Sequence, residues 1–353
     1  MDLDEWRSRI NDLDQQILSL LNQRAAAALR IGELKREQEL PYYVPERESE
    51  IIDRLLRLNS GPYSADGIRA VWREILSASR ALEQPLQVAY LGPPATFTHQ
   101  AATLRFGSSA HFAPRLSIGE IFDAVEKGQA EFGVVPVENS TEGSVNLTLD
   151  RLIDSNVLIA GEILLEITHH LLSRALDLAA VRTVCSHPQA LAQCRQWLAV
   201  NLPEAGTAEV SSTAVAAERA AADPTVAAIA SELAARLYSL PVLQTRIEDN
   251  SSNSTRFLVL GQRVMPPSGK DKTSILCSIK HEVGALAKFL EPFARHGLNL
   301  TKIESRPTKR RPWEYVFFVD FEGHQVAPPV QAALADVRER CLFLKFLGSY
   351  PAA

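Results

Sequence analysis

Ile10, Leu13, Ile17 and Leu20 recur in alternating steps of three and four, the spacing of an apolar seam along one helix face. Asp2 and Glu5 suit a capping box at its start, and no proline interrupts the pattern before Lys35. A helix of more than about 30 residues is about 45 Å long and cannot fold around itself in a small unit. A second helix starts near Pro45 and carries Ile51, Ile52, Leu55, Leu56 and Leu58. A third, capped by Ser64, carries Ile68, Val71, Trp72, Ile75, Leu76 and Leu82. One long and two shorter helices with open apolar stripes predict an all-α domain over residues 1–84 that is completed as an intertwined homodimer.

From Gln87 the period changes. Short apolar runs (VAYLG, FGVVPV, VRTVCS, AAIAS and RFLVLG) alternate with helical stretches. This predicts parallel sheets with helices on their faces over residues 86–263, as one large sheet or two smaller lobes. VMPPSGKDK (264–272) reads as a linker. Over 272–353 the order is strand (SILCSI), helix (284–296), strand (LTKIES), strand (EYVFFVDF), helix (329–340) and strand (LKFLGSY). That is the βαββαβ order of an α+β ferredoxin-like domain.

Composition adds mainly exclusions. A net charge of -5 does not suit a nucleic-acid binder, so an anionic ligand must be held by locally placed cations. No apolar run approaches the roughly 18 residues of a membrane span, and MDLDEW has no apolar core of a secretory signal. The chain is therefore expected in the cytoplasm. Cys185, Cys194, Cys277 and Cys341 form no CxxC pair and suggest neither a zinc site nor a disulfide framework.

The seam of the first helix carries cations. Arg24 and Lys35 lie eleven residues apart, about 20° around the helix, and so share a face. Arg7 is about 100° off that line and can serve a partner's pocket. Arg47 and Glu48 open the second helix, while Ser79 and Glu83 interrupt the apolar face of the third. Buried charge is costly unless paired, so a shared small dianion is the economical ligand.

RSRINDLDQQILSLLNQR, IGELK and PERE resemble the all-helical chorismate mutase family over residues 3–84. The resemblance implies that Arg24, Lys35, Arg47 and the other chain's Arg7 hold chorismate. It also implies that Glu48 binds the ring hydroxyl and Ser79 assists a carboxylate. The [3,3] rearrangement needs a compact conformer and donors aimed at the ether oxygen, not a nucleophile. Two positions depart from the family: Val44 replaces a frequent acid, and Glu83 a common glutamine.

The middle region carries YLGPPATFTHQAA (90–102), VPVENSTEGSVN (135–146), CSHPQALAQC (185–194) and NSSNSTRFLVLG (250–261). Polar loops converging at strand ends make the usual α/β ligand site. Together these motifs resemble the prephenate dehydratase family across 87–261, which implies a two-lobed, periplasmic-binding-protein-like fold with its cleft between the lobes. Thr255 is read as a hydrogen-bond donor to the departing hydroxyl, with Thr96, Thr98, Asn139 and Ser140 completing polar recognition. Arg256 is expected to anchor a substrate carboxylate if it faces the cleft, or else to pair with a nearby acid. His187, just before a helix-starting proline, reads as structural or as a general acid. Pro94-Ala95 stands where many relatives have Glu-Gly.

GALAKFLEPFARHGLNLTKIESRP (284–307) resembles the ACT amino-acid-sensing family over 273–350. That implies phenylalanine binding through Gly284, Ala285, Leu286, Glu304, Ser305, Arg306 and Pro307 where two such domains pair. The combined expectation is a bifunctional enzyme that converts chorismate to prephenate and then to phenylpyruvate. Phenylalanine would inhibit it, and no metal or organic cofactor is implied. Its ligands are chorismate, prephenate and phenylalanine, and it is at least a homodimer with no nucleic-acid or membrane partner. An arogenate dehydratase and a non-catalytic amino-acid sensor are the alternatives.

Overall fold

The computed structural model describes residues 2–38, 40, 42–280, 282–307 and 315–353. It divides into two compact units, residues 1–87 with 103–111, and residues 88–102 with 112–353.

The first unit is built on α1 (Leu3–Glu37), α2 (Pro45–Leu58) and α3 (Ala65–Glu83). The Asp2–Glu5 capping box forms, and Ser64 accepts from the Gly67 N–H to start α3. Val44 caps α2 with no side-chain bond. The apolar seam of α1 stays open: Ile10, Leu13, Ile17 and Leu20 are all exposed, and Gly32 is the one buried residue on this helix. Gly32 marks a close approach, since a Cβ there would lie 2.9 Å from Cγ of Glu83 on α3.

The second unit begins with β1 (Gln87–Leu91). α4 (Phe97–Phe106) and β2 (His111–Arg115) contribute residues to both units. Next come α5 (Ile118–Glu126), β3 (Phe132–Asn139), β4 (Gly143–Ser144), α6 (Asn146–Asp154) and β5 (Leu158–Glu166). These strands, joined by the returning β11 (Ser254–Gly261), form a sheet of order β2-β1-β3-β11-β5, with β4 on β3. Between β5 and β11 the chain builds a second sheet. It comprises β6 (His170–Ser173), β7 (Thr183–Ser186), β8 (Gly206–Glu209), β9 (Val226–Ala230) and β10 (Val242–Gln244), in the order β10-β6-β9-β7-β8. Its helices are α7 (Pro188–Gln193), α8 (Arg195–Asn201), α9 (Thr213–Ala222) and α10 (Glu232–Leu237).

There are thus two lobes, and their sheets are mixed, which corrects the expectation of parallel ones. β1 pairs β3 in parallel, but β11 runs antiparallel to both β3 and β5, and β6 runs antiparallel to β9. The reason is the return path: a chain that leaves one lobe, builds the other and comes back re-enters the first sheet in the opposite direction.

The C-terminal sheet contains β12 (Asp271–Ile279), β13 (Leu300–Pro307), β14 (Tyr315–Glu322) and β15 (Cys341–Pro351), with α11 (Ala285–Arg295) and α12 (Pro328–Arg340). Its order is β13-β14-β12-β15, all antiparallel, as βαββαβ requires. The first residue expected in β14, Glu314, lies outside the described residues. One apolar cluster joins this sheet to the first lobe. Val135, Val137, Ile159, Leu258 and Leu260 share it with Leu276, Val316, Phe318, Leu347 and Tyr350. Gly348 permits the approach, because it has φ +153 and a Cβ there would collide with the Ile159 carbonyl oxygen. Among the described residues no helix is long and apolar enough to cross a membrane.

Candidate functional site

In the helical unit, the inner faces of α1 and α3 bring four of the expected residues together. Arg24 Nη1 donates to Ser79 Oγ at 2.5 Å, and Ser79 in turn donates to the Ile75 carbonyl at 2.8 Å. The Ser79 hydroxyl is therefore a fixed acceptor that orients the guanidinium. Lys35 Nζ lies 3.6 Å from Glu83 Oε2 and donates to the Tyr42 carbonyl at 2.8 Å. Glu83 Oε2 is buried and makes no hydrogen bond among the described residues.

Glu48 is held beside this group by Arg80, whose Nη1 lies 2.6 Å from Glu48 Oε1. Arg80 also donates to the Phe106 carbonyl at 2.5 Å and stacks 4.8 Å above the Tyr43 ring. Burial pushes the Glu48 carboxyl above its ordinary value, against the opposing pull of Arg80 and, more weakly, Arg105 and Arg24. Arg80 was not foreseen, because an arginine in the last turn of a helix ordinarily answers the helix dipole.

The other two expected cations stand apart. Arg47 pairs with Glu50 on the surface, and Arg7 with Asp4. Arg7 lies 17 residues before Arg24, about 25 Å along the same helix, and cannot reach that residue's pocket in its own chain.

In the second unit, β3 and β11 carry Asn139 and Thr255 as directly opposed register partners. Asn139 Nδ2 donates to Thr255 Oγ1 at 2.9 Å and to Asn253 Oδ1 at 2.8 Å. Its carbonyl accepts from the N–H groups of Thr141 and Glu142 at 3.0 and 3.1 Å, which fixes the amide orientation. Because Thr255 Oγ accepts from Asn139, its own O–H remains available to donate to a ligand.

The network crosses to the other lobe. Asn253 Nδ2 donates to Gln193 Oε1 at 3.2 Å, and His169 Nε2 meets the same oxygen at 2.8 Å. Burial holds the His169 imidazole below its ordinary value, so it is neutral at pH 7, with Nε2–H as the donor to Gln193. Asn253, Gln193 and His169 were missed because three distant chain segments supply them. Only HPQALAQC hinted at Gln193.

The other expected polar residues have local partners. Thr96 Oγ donates to the Leu91 carbonyl at 2.8 Å and accepts from His99 N–H, closing the β1–α4 turn. Thr98 is buried. Ser140 Oγ accepts from Ser254 N–H at 3.0 Å, tying the two loops together. His187 caps α7 through Nδ1, the structural role. Ala95 keeps φ +73, a left-handed turn that a glycine adopts without strain.

Arg256 does not face the cleft, which corrects its expected role as a carboxylate anchor. Alternation along β11 turns it to the face opposite Thr255. There it binds Glu162 at 2.8 Å, Asp320 at 2.7 Å and Tyr350 Oη at 3.1 Å. Its side chain is 12% exposed, Glu162 0% and Asp320 10%.

The residues expected to bind an amino acid are split by the same rule. Along β13 the side chains alternate, with Ser305 and Pro307 exposed and Lys302, Glu304 and Arg306 partly covered. Arg306 bonds Asn146 at 2.6 Å and Asp150 at 2.7 Å, so it is committed to the first lobe and not to an open ligand face. Gly284 caps α11 at φ +79, followed by Ala285 and an exposed Leu286. A cavity of ≈ 380 Å³ there is lined by Ala285 and by charged side chains that include Lys280, Glu282, Lys288, Glu291 and Arg340. Among the described residues no group of three or more His, Cys, Asp or Glu is placed to hold a metal ion.

Three family models match the chain in succession: chorismate mutase type II over residues 6–84, prephenate dehydratase over 88–265 and the ACT domain over 273–339. A bifunctional chorismate mutase/prephenate dehydratase of Aquifex aeolicus is 52% identical, with 100% of this chain and 98% of that one aligned. One from Pseudomonas aeruginosa is 44% identical over 98% and 97%. Among solved structures, a prephenate dehydratase from Arthrobacter aurescens in complex with L-Phe has 35% identity and a TM-score of 0.69. It covers 75% of this chain and 89% of its own.

Proposed function

Because the chain belongs to the bifunctional chorismate mutase/prephenate dehydratase family, we propose residue roles for the two reactions it catalyses. The helical domain isomerises chorismate to prephenate. Arg24 and Arg7 of a second copy hold the two carboxylates, joined by Arg47 once it leaves its surface pair with Glu50; Lys35 and Glu83 face the ether oxygen, and Glu48 takes the ring hydroxyl. The open seam of α1 and the reach of Arg7 support an intertwined dimer, with each pocket completed by the other chain.

The two-lobed domain converts prephenate to phenylpyruvate, carbon dioxide and water. The ring carbon–oxygen bond and the bond to the ring carboxylate break, and the electron pair of the latter completes the aromatic ring. Hydroxide must acquire a proton to leave as water. The observation that carries the assignment is the Asn139 donation to Thr255 Oγ, which leaves the threonine O–H available to donate to the departing oxygen. Thr96, Thr98 and Ser140 complete the polar recognition around it in this reading. A donor placed where charge develops contributes on the order of 100-fold to 1,000-fold in rate.

Phenylalanine is the proposed inhibitor, held near Gly284, Ala285, Leu286 and the exposed side of β13 where two ACT domains meet. The relative solved with L-Phe supports this reading. We place the protein in the cytoplasm, with domains over 1–84, 86–263 and 272–353. The test is to supply purified protein with chorismate and follow its loss and phenylpyruvate gain separately, with and without phenylalanine. Both reactions should proceed, and phenylalanine should suppress the second. Phenylpyruvate formation from arogenate but not prephenate would overturn the substrate assignment.

A further inference from the structure

The strands that carry Asn139 and Thr255 each hold an ion-paired residue immediately beside them, on the opposite face. On β11 the pair is Thr255 and Arg256; on β3 it is Asn139 and Glu138. Register sets Thr255 against Asn139 and Arg256 against Glu138. The front face of the sheet therefore carries the hydroxyl–amide network and the back face carries charge.

The ACT sheet meets that charge. Asp320 on β14 binds Arg256 at 2.7 Å, and Lys302 on β13 binds Glu138 at 2.8 Å. Lys302 and Asp320 are themselves register partners on neighbouring strands. Ser274 Oγ donates to Asp320 at 2.6 Å and shares a bond of 2.7 Å with Tyr350 Oη, which also accepts from Arg256. Arg256 and Lys272 face Glu162 and Asp320, so the buried cluster is neutral as a set. Removing one member leaves an uncompensated buried charge, so the members act as a set.

We propose that Arg256 is a positioning residue for Thr255, and that its pairing with Asp320, with Lys302–Glu138 beside it, is the route by which the ACT domain controls dehydration. This rests on phenylalanine being the ACT ligand. A ligand on the exposed side of β13 displaces the strand whose covered side holds Lys302. The adjacent strand holds Asp320. Both movements reach the residue next to a catalytic-face group, and the peptide link passes them to Asn139 and Thr255.

The test uses the full chain. Arg256→Gln should lower the dehydratase kcat by on the order of 10-fold to 100-fold with little change in KM, as a misplaced donor does. Arg256→Lys should recover part of it. Lys302→Gln and Asp320→Asn should bind phenylalanine in calorimetry about as tightly as the wild type. Their inhibition at saturating phenylalanine should be weaker by about 5-fold or more. Lys302→Gln is the milder change, so a folding failure of the other variants does not remove the test. A folded Lys302→Gln protein with undiminished inhibition would overturn the route. An Arg256→Gln protein with wild-type kcat would overturn the positioning role. A wild-type protein that does not bind phenylalanine would instead overturn the ligand reading, and the Arg256 kinetics would then decide the positioning role alone.

Discussion

At Glu83 a carboxyl stands where the proposed mutase pocket calls for a hydrogen-bond donor. Glu83 is pressed between α1 and α3, under Gly32, with Lys35 at 3.6 Å. A glutamine there donates a hydrogen bond at any pH, whereas a glutamate donates only when protonated. Glu83→Gln, which supplies that donor, should therefore raise the mutase kcat/KM and leave the dehydratase reaction unchanged. Mutase kcat/KM of the two proteins under one set of conditions decides it. An unchanged mutase kcat/KM would remove Glu83 from the chemistry.

Among the elements, α2 shows what a single cap is worth. Val44 precedes Pro45 without any side-chain bond to the free N–H groups. Val44→Asp should supply one and stabilise the helical domain by about 1 kcal/mol, seen as a higher unfolding midpoint. On β5, burial pushes the Glu162 carboxyl up, but Arg256 and Lys272 outweigh it and hold it below its ordinary value. A depressed folded-state value means that Glu162 contributes stability above the unfolded value of about 4.3 and loses it as the pH falls through the folded one. Glu162→Gln, though less stable throughout, should show a shallower loss of stability below about pH 4.3 in denaturant titrations.

Much of this was legible in the chain. Three-four spacing and Ser64 gave the helices, and the βαββαβ order of the last domain followed from its apolar runs. Of the seam cations, Arg24 and Lys35 come together with Ser79 and Glu83 at the proposed mutase pocket. TRF and ENS lie at the second proposed site, but its strands turn adjacent residues to opposite faces, so of the two roles open to Arg256 the pairing with acids is the one the fold supplies. The same alternation divides ESRP on β13. Gln193, Asn253 and His169 became a network only when the return of β11 brought the lobes together, a long-range pairing that local patterns do not encode.

For the whole molecule, the two chemistries occupy different units of the chain, and the mutase pocket is proposed to draw on two chains. Arg7→Ala and Arg24→Ala should each cripple the mutase, yet mixed dimers of the two should regain part of it, since one of their two pockets is intact. Demonstrably mixed dimers with no recovered activity would show that Arg7 serves its own chain. The central claim is that Thr255 donates to the leaving hydroxyl at a site separate from the mutase pocket. It is tested most directly by giving chorismate to folded Thr255→Ala protein and measuring chorismate, prephenate and phenylpyruvate together. Chorismate should disappear at the wild-type rate, prephenate should accumulate and phenylpyruvate should not form. Loss of both reactions, or phenylpyruvate formed at the wild-type rate, would contradict the account.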